Sequence, residues 1–378
     1  MSFLLCRLKY DFLREHEYFS VIKELKGLNC LMEIIPHSRP TIDQEETAAV
    51  VSVLRSGQLA QGEQVLNFES ALASLIGVVG AVAVSSGTAA LHLSLLAMEI
   101  GEGDEVVIPS FVCPALLNAI RYVRAVPVLA DINPETFNMD VHDLRKRLTG
   151  KTKAVIIPHI FGLPADIREI VSLGVPVIED CAQSLGSRYE GSPTGSFGAL
   201  SVFSFYATKV ICTGEGGMVA SDDSPLLGKI RDLRDYDEKN DGRLRYNYKL
   251  TDLQAALGLT QLRKLPALIG RRRAIAGRYH EFFREHHLSM PVCPSDREHI
   301  YYRYVIRTER LLKLLDAGRD AGIAYRRPVF KPLHNYLGMT GYPQTDAAFL
   351  GTVSLPIYPS LRDTEVKTII HHLQSILK

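Results

Sequence analysis

Between Gly80 and Asp180 the chain alternates short apolar runs with longer, helix-like stretches. "VGAVAV", "DEVVIPS", "AVPVLADI", "KAVIIPHIFG" and "VPVIED" read as strands, separated by "TAALHLSLLAMEIG", "CPALLNAIRYV", "MDVHDLRKRLTG" and "PADIREIVSLG", which read as helices. The strand runs are apolar at successive positions, so both faces of each strand need cover. A mainly parallel sheet with helices on its two faces supplies that cover. The expected fold class is therefore α/β, an αβα sandwich.

The pattern changes after Gly217. "SPLLGKIRDLRDYDEK" and "TDLQAALGLTQLRKL" read as helices, and Pro266 is expected to open a long amphipathic helix, "ALIGRRRAIAGRYHEFFREHH". Then come strand "IYYRYVIRT", helix "RLLKLLDAGRDAG", strand "IAYRRP", a Pro-rich loop and a last helix, "RDTEVKTIIHHLQSIL". This predicts a smaller α+β unit after the large domain, with divisions at 1–34 (extension), 35–264 and 265–378. The extension is charged throughout and lacks the pattern of a signal peptide, reading instead as helical.

Charge excludes some partners. The 43 Lys+Arg nearly cancel the 42 Asp+Glu, so no net field favours nucleic acid or anionic lipid. No apolar run approaches the roughly 20 residues of a membrane span. The six cysteines are scattered without metal-like spacing, which predicts reduced thiols, no metal site and a cytoplasmic protein.

Three stretches carry candidate chemistry. "SSGTAAL" places Gly87 and Thr88 at a strand-to-helix switch, where free N–H groups and the helix dipole favour an anion. No GxGxxG or GxxxxGK[ST] pattern is present, which argues against a dinucleotide or a nucleoside triphosphate. "VPVIEDCAQSLG" ends a buried run in Asp180, whose carboxylate needs a cation or several donors. "FSFYATKVICTGEGG" sets a lone Lys209, five residues after Ser204, before a glycine-rich turn. Singly, each has a plain structural explanation: a capped helix, a strand end, a lysine reaching to water. Jointly they fit pyridoxal 5′-phosphate (PLP). Its phosphate needs a helix N-terminus and hydroxyls, its aldehyde a lysine for a Schiff base, and its pyridine nitrogen a carboxylate.

Residues from about Ile35 onward resemble the DegT/DnrJ/EryC1/StrS family of sugar aminotransferases. The resemblance rests on "SSGTAALHLSLLA", "GDEVVIPSFVCPALLNAI", "VIEDCAQSLGS", "FSFYATKVICTGEGG" and "YNYKLTDLQAALGLTQL". It implies the type I fold of PLP-dependent transferases and a PLP-dependent aminotransferase, with L-glutamate as donor, a nucleotide-linked keto-sugar as acceptor and a homodimer as the working unit. By position, Lys209 corresponds to the lysine that holds the cofactor and moves protons. Asp180 matches the pyridine-nitrogen partner, Gln183 the ring-hydroxyl partner and Ala182 the residue against one ring face. Gly87, Thr88 and Ser204 match the phosphate cradle, and Asn247 an asparagine lent to the neighbouring subunit's phosphate.

The chain departs from the family at two places. Cys113 stands where an aromatic residue commonly stacks on the ring, leaving Phe111 or the Cys113 sulfur to take that role. Leu185-Gly186 stands where His-Gly is frequent. In "YRRPVFKPLHNY", Arg326, Arg327, Lys331 and His334 are candidates to face a diphosphate, the alternative being a solvated basic loop. His286-His287 and His371-His372 read as surface pairs. Two other functions fit the scaffold. A sugar dehydratase would carry histidine in place of Lys209, and a non-catalytic PLP-binding regulator would have no use for the acid/base set.

Overall fold

The structure, a computed structural model, describes residues 34–377. The extension expected over 1–34 lies outside them but for its last residue.

Two helices open the described chain, α1 (Gln44–Ser56) and α2 (Glu63–Ile76). Alternation follows as expected: β1 (Gly80–Val84), α3 (Gly87–Ala97), β2 (Glu105–Pro109), α4 (Ala115–Tyr122), β3 (Val126–Ala130), α5 (Val141–Arg147), β4 (Thr152–Pro158), α6 (Ile167–Val171) and β5 (Val177–Asp180). A two-residue hairpin, β6 (Arg188–Tyr189) and β7 (Ser192–Pro193), precedes β8 (Leu200–Ser204), β9 (Gly217–Ser221) and α7 (Ser224–Arg234). Seven strands form one sheet in the order β1-β9-β8-β5-β4-β2-β3. Only β9 runs against the rest.

Both faces of the sheet are covered, which is why its strands read as continuous apolar runs. Val82, Val84, Ile108, Ile156, Ile178 and Val202 turn to the layer containing α3 and α4. Ala81, Ala83, Phe203 and Met218 turn to α2 and the long helix α8 (Asp252–Glu285). Helix α3 is apolar around almost its whole circumference and is buried accordingly.

Helix α8 differs from expectation. It begins at Asp252 and continues through Pro266 for 34 residues, rather than starting at the proline. Pro266 removes one N–H···O bond, but Leu265, Leu268 and Ile269 on either side of it are buried in the core, and this packing keeps the helix continuous. Its first half packs on α1 and α2, while Ile275, Tyr279, Phe282 and Phe283 enter the core of the C-terminal unit. The 264/265 division thus falls inside this helix.

After α8, β10 (Arg297–Glu298) pairs with β6 to complete a three-stranded sheet with β7. Then β11 (Tyr304–Arg307), α9 (Leu311–Asp320), α10 (Leu333–Leu337), α11 (Pro343–Gly351), β12 (Thr352–Leu355) and α12 (Asp363–Leu377) follow, with Leu333 and Ala348 buried in the large domain's core. The run "IAYRRP" forms no strand of its own. Ile323 bridges to Ile35 and Arg326 to Ser354, so its place beside β11 is taken by β12. Ile35 itself belongs to the C-terminal core.

Candidate active site

Strand β9 assembles the site. It lies between β1 and β8 and runs opposite to them, so its first residue, Gly217, pairs with both Val84 and Ser204. The carboxyl ends of β1 and β8 are thereby held one strand apart. No side chain fits at Gly217, where a Cβ would stand 2.3 Å from the Ser86 carbonyl oxygen. A Cβ on Gly87 would likewise meet Ser204 Cβ at 2.9 Å. The α3 N-terminus, with Ser86 Oγ accepting from Ala89 N–H at 3.0 Å, is thus pressed against Ser204. Gly87, Thr88 and Ser204 are half-buried, and this helix start offers free backbone N–H groups beside the Ser204 hydroxyl. Ser204 Oγ also accepts from Tyr206 N–H at 3.5 Å.

Asp180 ends β5, the strand beside β8, in register with Val202. It is 8% exposed, and its Oδ1 accepts from Ala182 N–H at 3.0 Å. Among the described residues it forms no ion pair. Burial raises its carboxyl above the usual range, against opposing pulls from the Ala182 hydrogen bond and from the Lys209 charge. A buried carboxylate in this condition favours a cationic N–H donor.

Lys209 sits in the loop joining β8 to β9, past the strand end where the sequence placed it. Phe205 anchors that loop against the Phe68 ring at 4.9 Å, and Val210 and Ile211 are buried. The half-buried lysine forms no ion pair among the described residues, and its Nζ lies 5.3 Å from the centre of the Tyr302 ring. Cys113 is exposed and within the electrostatic influence of both Lys209 and Asp180. Cys113 therefore lies with them, at the surface of the cleft. Phe111 does not: it packs with Phe137 at 6.1 Å and Phe161 at 6.3 Å in the core. Gln183 Oε1 accepts from Phe161 N–H at 2.9 Å, which leaves the donor end of the amide for another partner.

His159, Glu179 and Cys181 come within 4.8 Å of one another beneath the site. Hydrogen bonds already fill the first two. Glu179 accepts from His159 Nε2 at 2.9 Å and from the N–H groups of Gly195, Phe197 and Gly198. His159 Nδ1 accepts from Ala165 N–H, so the proton is on Nε2. This arrangement supports Asp180, since His159 N–H donates to the Asp180 carbonyl at 3.2 Å. The sequence reading missed His159 and Tyr302. His159 directly follows strand β4, at the same sheet edge, which was a usable signal; nothing local marked Tyr302.

Asn247 is exposed. Its neighbours Tyr246 and Tyr248 stack on each other at 5.0 Å and pack on His92, leaving Asn247 on the opposite side. Its side chain has no hydrogen-bond partner among the described residues.

Other expectations need correction. Leu185 and Gly186, standing where His-Gly is frequent, pack on α8, where a Cβ on Gly186 would meet Ile269 at 2.5 Å. His334 is buried, with Nδ1 at 2.7 Å from Ser110 Oγ and Nε2 at 3.0 Å from Asp346, and does not face a diphosphate. Arg327 bonds the Phe349 carbonyl and lies over its ring, and Lys331 lies over Tyr336; Arg326 is exposed. His371 is exposed as expected, whereas His372 is half-buried, its two nitrogens contacting Tyr325 OH and the Ala317 carbonyl. His286 folds back on the Phe282 carbonyl.

The residues fit PLP: a glycine-lined N–H cradle with a hydroxyl and, among the described residues, a buried carboxylate without a counter-ion and a lysine without an ion pair. The chain is 36% identical over 378 residues to the spore coat polysaccharide biosynthesis protein SpsC of Bacillus subtilis, covering 91% of this chain and 97% of that one. It is 32% identical over 363 residues to the GDP-perosamine synthase of Caulobacter vibrioides, covering 89% and 97%. The PLP-form of Spr1654 from Streptococcus pneumoniae, which also has a PMP-form structure, superposes with a TM-score of 0.85 at 30% identity, covering 91% of this chain and 98% of that one. Residues 40–374 match the DegT/DnrJ/EryC1/StrS aminotransferase family, and the chain belongs to it as a PLP-dependent aminotransferase of the αβα type I fold.

Proposed function

We propose that this enzyme moves the amino group of L-glutamate onto a nucleotide-linked keto-sugar, for amino-sugar biosynthesis in the cytoplasm. The observation that carries the reading is the pairing of Asp180, buried without a counter-ion, with an unpaired Lys209 in one cleft. The sugar acceptor is supported by the relatives, one of them a GDP-perosamine synthase and another a polysaccharide biosynthesis protein.

When bound, PLP supplies a sink for the electron pair freed at the donor's Cα. Lys209 would hold the cofactor at rest and, once freed by the incoming amine, would take the proton from the donor's Cα and pass it on as general acid. Such positioned proton transfer contributes roughly 10²–10⁴-fold. Asp180 holds the proton on the ring nitrogen. Gln183 would donate to the ring hydroxyl, Ala182 and Cys113 would flank the ring, and Gly87, Thr88 and Ser204 would receive the phosphate. Asn247 reaches the phosphate of a second copy, making a homodimer the working unit. Among the described residues no helix is long and apolar enough to cross a membrane.

The test supplies purified protein, PLP and L-glutamate with a panel of nucleotide-linked keto-sugars, and follows sugar amine by mass spectrometry together with 2-oxoglutarate. Amine from at least one sugar, absent with Lys209→Ala, is the expected result. Transfer to 2-oxo acids alone would overturn the sugar assignment.

A further inference from the structure

We propose that Arg303, held between His37 and the Tyr302 ring, receives a carboxylate of the amino-acid donor. The inference rests on the transaminase reading above and assigns one residue to its first half.

Three cations gather about one buried ring. Lys209 Nζ lies 5.3 Å from the Tyr302 ring centre, the Arg303 guanidinium 5.4 Å and the Arg272 guanidinium 6.0 Å. Among the described residues none of the three forms an ion pair; Glu135, which lines a small crevice together with Arg303, stays beyond ion-pair distance. Arg272 is accounted for structurally, because its Nη1 donates to the carbonyls of Tyr301, Tyr302 and Ile357, although its buried Nε has no acceptor.

Arg303 has no such task. Its Nη1 lies 3.3 Å from His37 Nδ1 and 3.4 Å from Nε2, and His37 Nε2 lies 2.9 Å from Ser354 Oγ. His37 is half-buried, and desolvation followed by the charges of Arg303, Arg326 and Arg272 holds its pKa well below the usual range. It is therefore neutral and accepts from Arg303, which orients the guanidinium without neutralising it. Half-buried, aimed and unpaired, this fork suits a carboxylate.

Position selects the ligand. Lys209 and Arg303 contact the same ring, so the two cations are at most about twice those distances apart. One amino acid spans such a gap, with its amine at Lys209 and a carboxylate at Arg303. The phosphate cradle, by contrast, is built by Gly87 and Ser204 in the large domain.

The experiment titrates PLP-loaded protein with glutarate by calorimetry and separately follows bleaching of the cofactor's visible absorbance by L-glutamate. Wild type that fails to bleach defeats the transaminase reading itself, whatever Arg303 does. Given bleaching, Arg303→Gln should weaken glutarate and raise the half-saturating glutamate concentration roughly 10- to 100-fold. Its cofactor spectrum and melting temperature should match wild type. Arg303→Lys, which retains charge but not the fork, should fall between, and it decides the matter if the Gln variant does not fold. Unchanged glutarate affinity overturns the proposal, as does a variant that loses inorganic phosphate binding while keeping glutarate.

Discussion

Lys209 Nζ stands 5.3 Å from the centre of the Tyr302 ring, joining the β8–β9 loop of the large domain to the segment that leads into β11. Burial alone would raise the Tyr302 phenol, but the charges of Lys209, Arg303 and Arg272, with a hydrogen bond from Thr208, bring it down to about 8. Difference absorbance of the cofactor-free protein should show one phenol titrating near that pH. The signal should vanish in Tyr302→Phe and move upward in Lys209→Ala, since a cation that favours phenolate is gone. An unmoved titration in Lys209→Ala would separate the two groups.

Asp180→Asn should affect stability and catalysis in opposite directions. The carboxyl's folded pKa lies above its unfolded one, so in cofactor-free protein ionisation destabilises the fold at neutral pH, and the penalty is relieved as pH falls through the folded value. The asparagine variant should therefore melt about 1–4 °C higher than wild type at pH 7 to 8, with the gap closing on acidification. Catalysis should collapse, because nothing then keeps the ring nitrogen protonated. A wild-type rate of cofactor bleaching by glutamate would make Asp180 structural.

Lys209→Ala should fold and bind the cofactor non-covalently through the phosphate cradle, yet lose transamination. Denaturing mass spectrometry after borohydride treatment should find the cofactor on wild type alone. Turnover at the wild-type rate would remove Lys209 from the chemistry.

Gly87→Ala tests the cradle. Its Cβ would sit 2.9 Å from Ser204 Cβ, too close for real atoms, so α3 and β8 must part. Cofactor loss on dialysis should accelerate at least tenfold, with little change in the far-ultraviolet dichroism. Retention equal to wild type would place the phosphate elsewhere.

Asn247, exposed and without a partner in its own subunit's described residues, should act across a dimer. Lys209→Ala and Asn247→Ala homodimers should each be impaired. In a mixed dimer the subunit with intact Lys209 receives Asn247 from the other chain, so the mixture should exceed both parents. No recovery, once native mass spectrometry shows the heterodimer, would return Asn247 to its own subunit.

The residues with short-range signatures were legible early. Apolar runs at successive positions marked strands buried on both faces, and "SSGTAAL" marked a strand-to-helix switch where an anion fits. Asp180 showed itself as a carboxylate at the end of such a run. Residues whose role depends on a distant neighbour were not legible. Tyr302 lies in a run that reads only as strand, and its cations come from α8, from the β8–β9 loop and from Arg303 beside it. His334 looked like part of a basic loop until Ser110 and Asp346 enclosed it.

By itself the sequence determined the layered α/β class and singled out the lysine, the carboxylate and the glycine turn as candidates, because periodicity and backbone freedom are properties of neighbouring residues. Tertiary structure decided how these meet. The antiparallel insertion of β9 between β1 and β8 sets Gly217 against Ser86, and so brings Gly87 to Ser204; no local pattern encodes the direction of a strand. It also decided that α8 runs through Pro266, since burial of Leu265, Leu268 and Ile269 outweighs one missing backbone hydrogen bond.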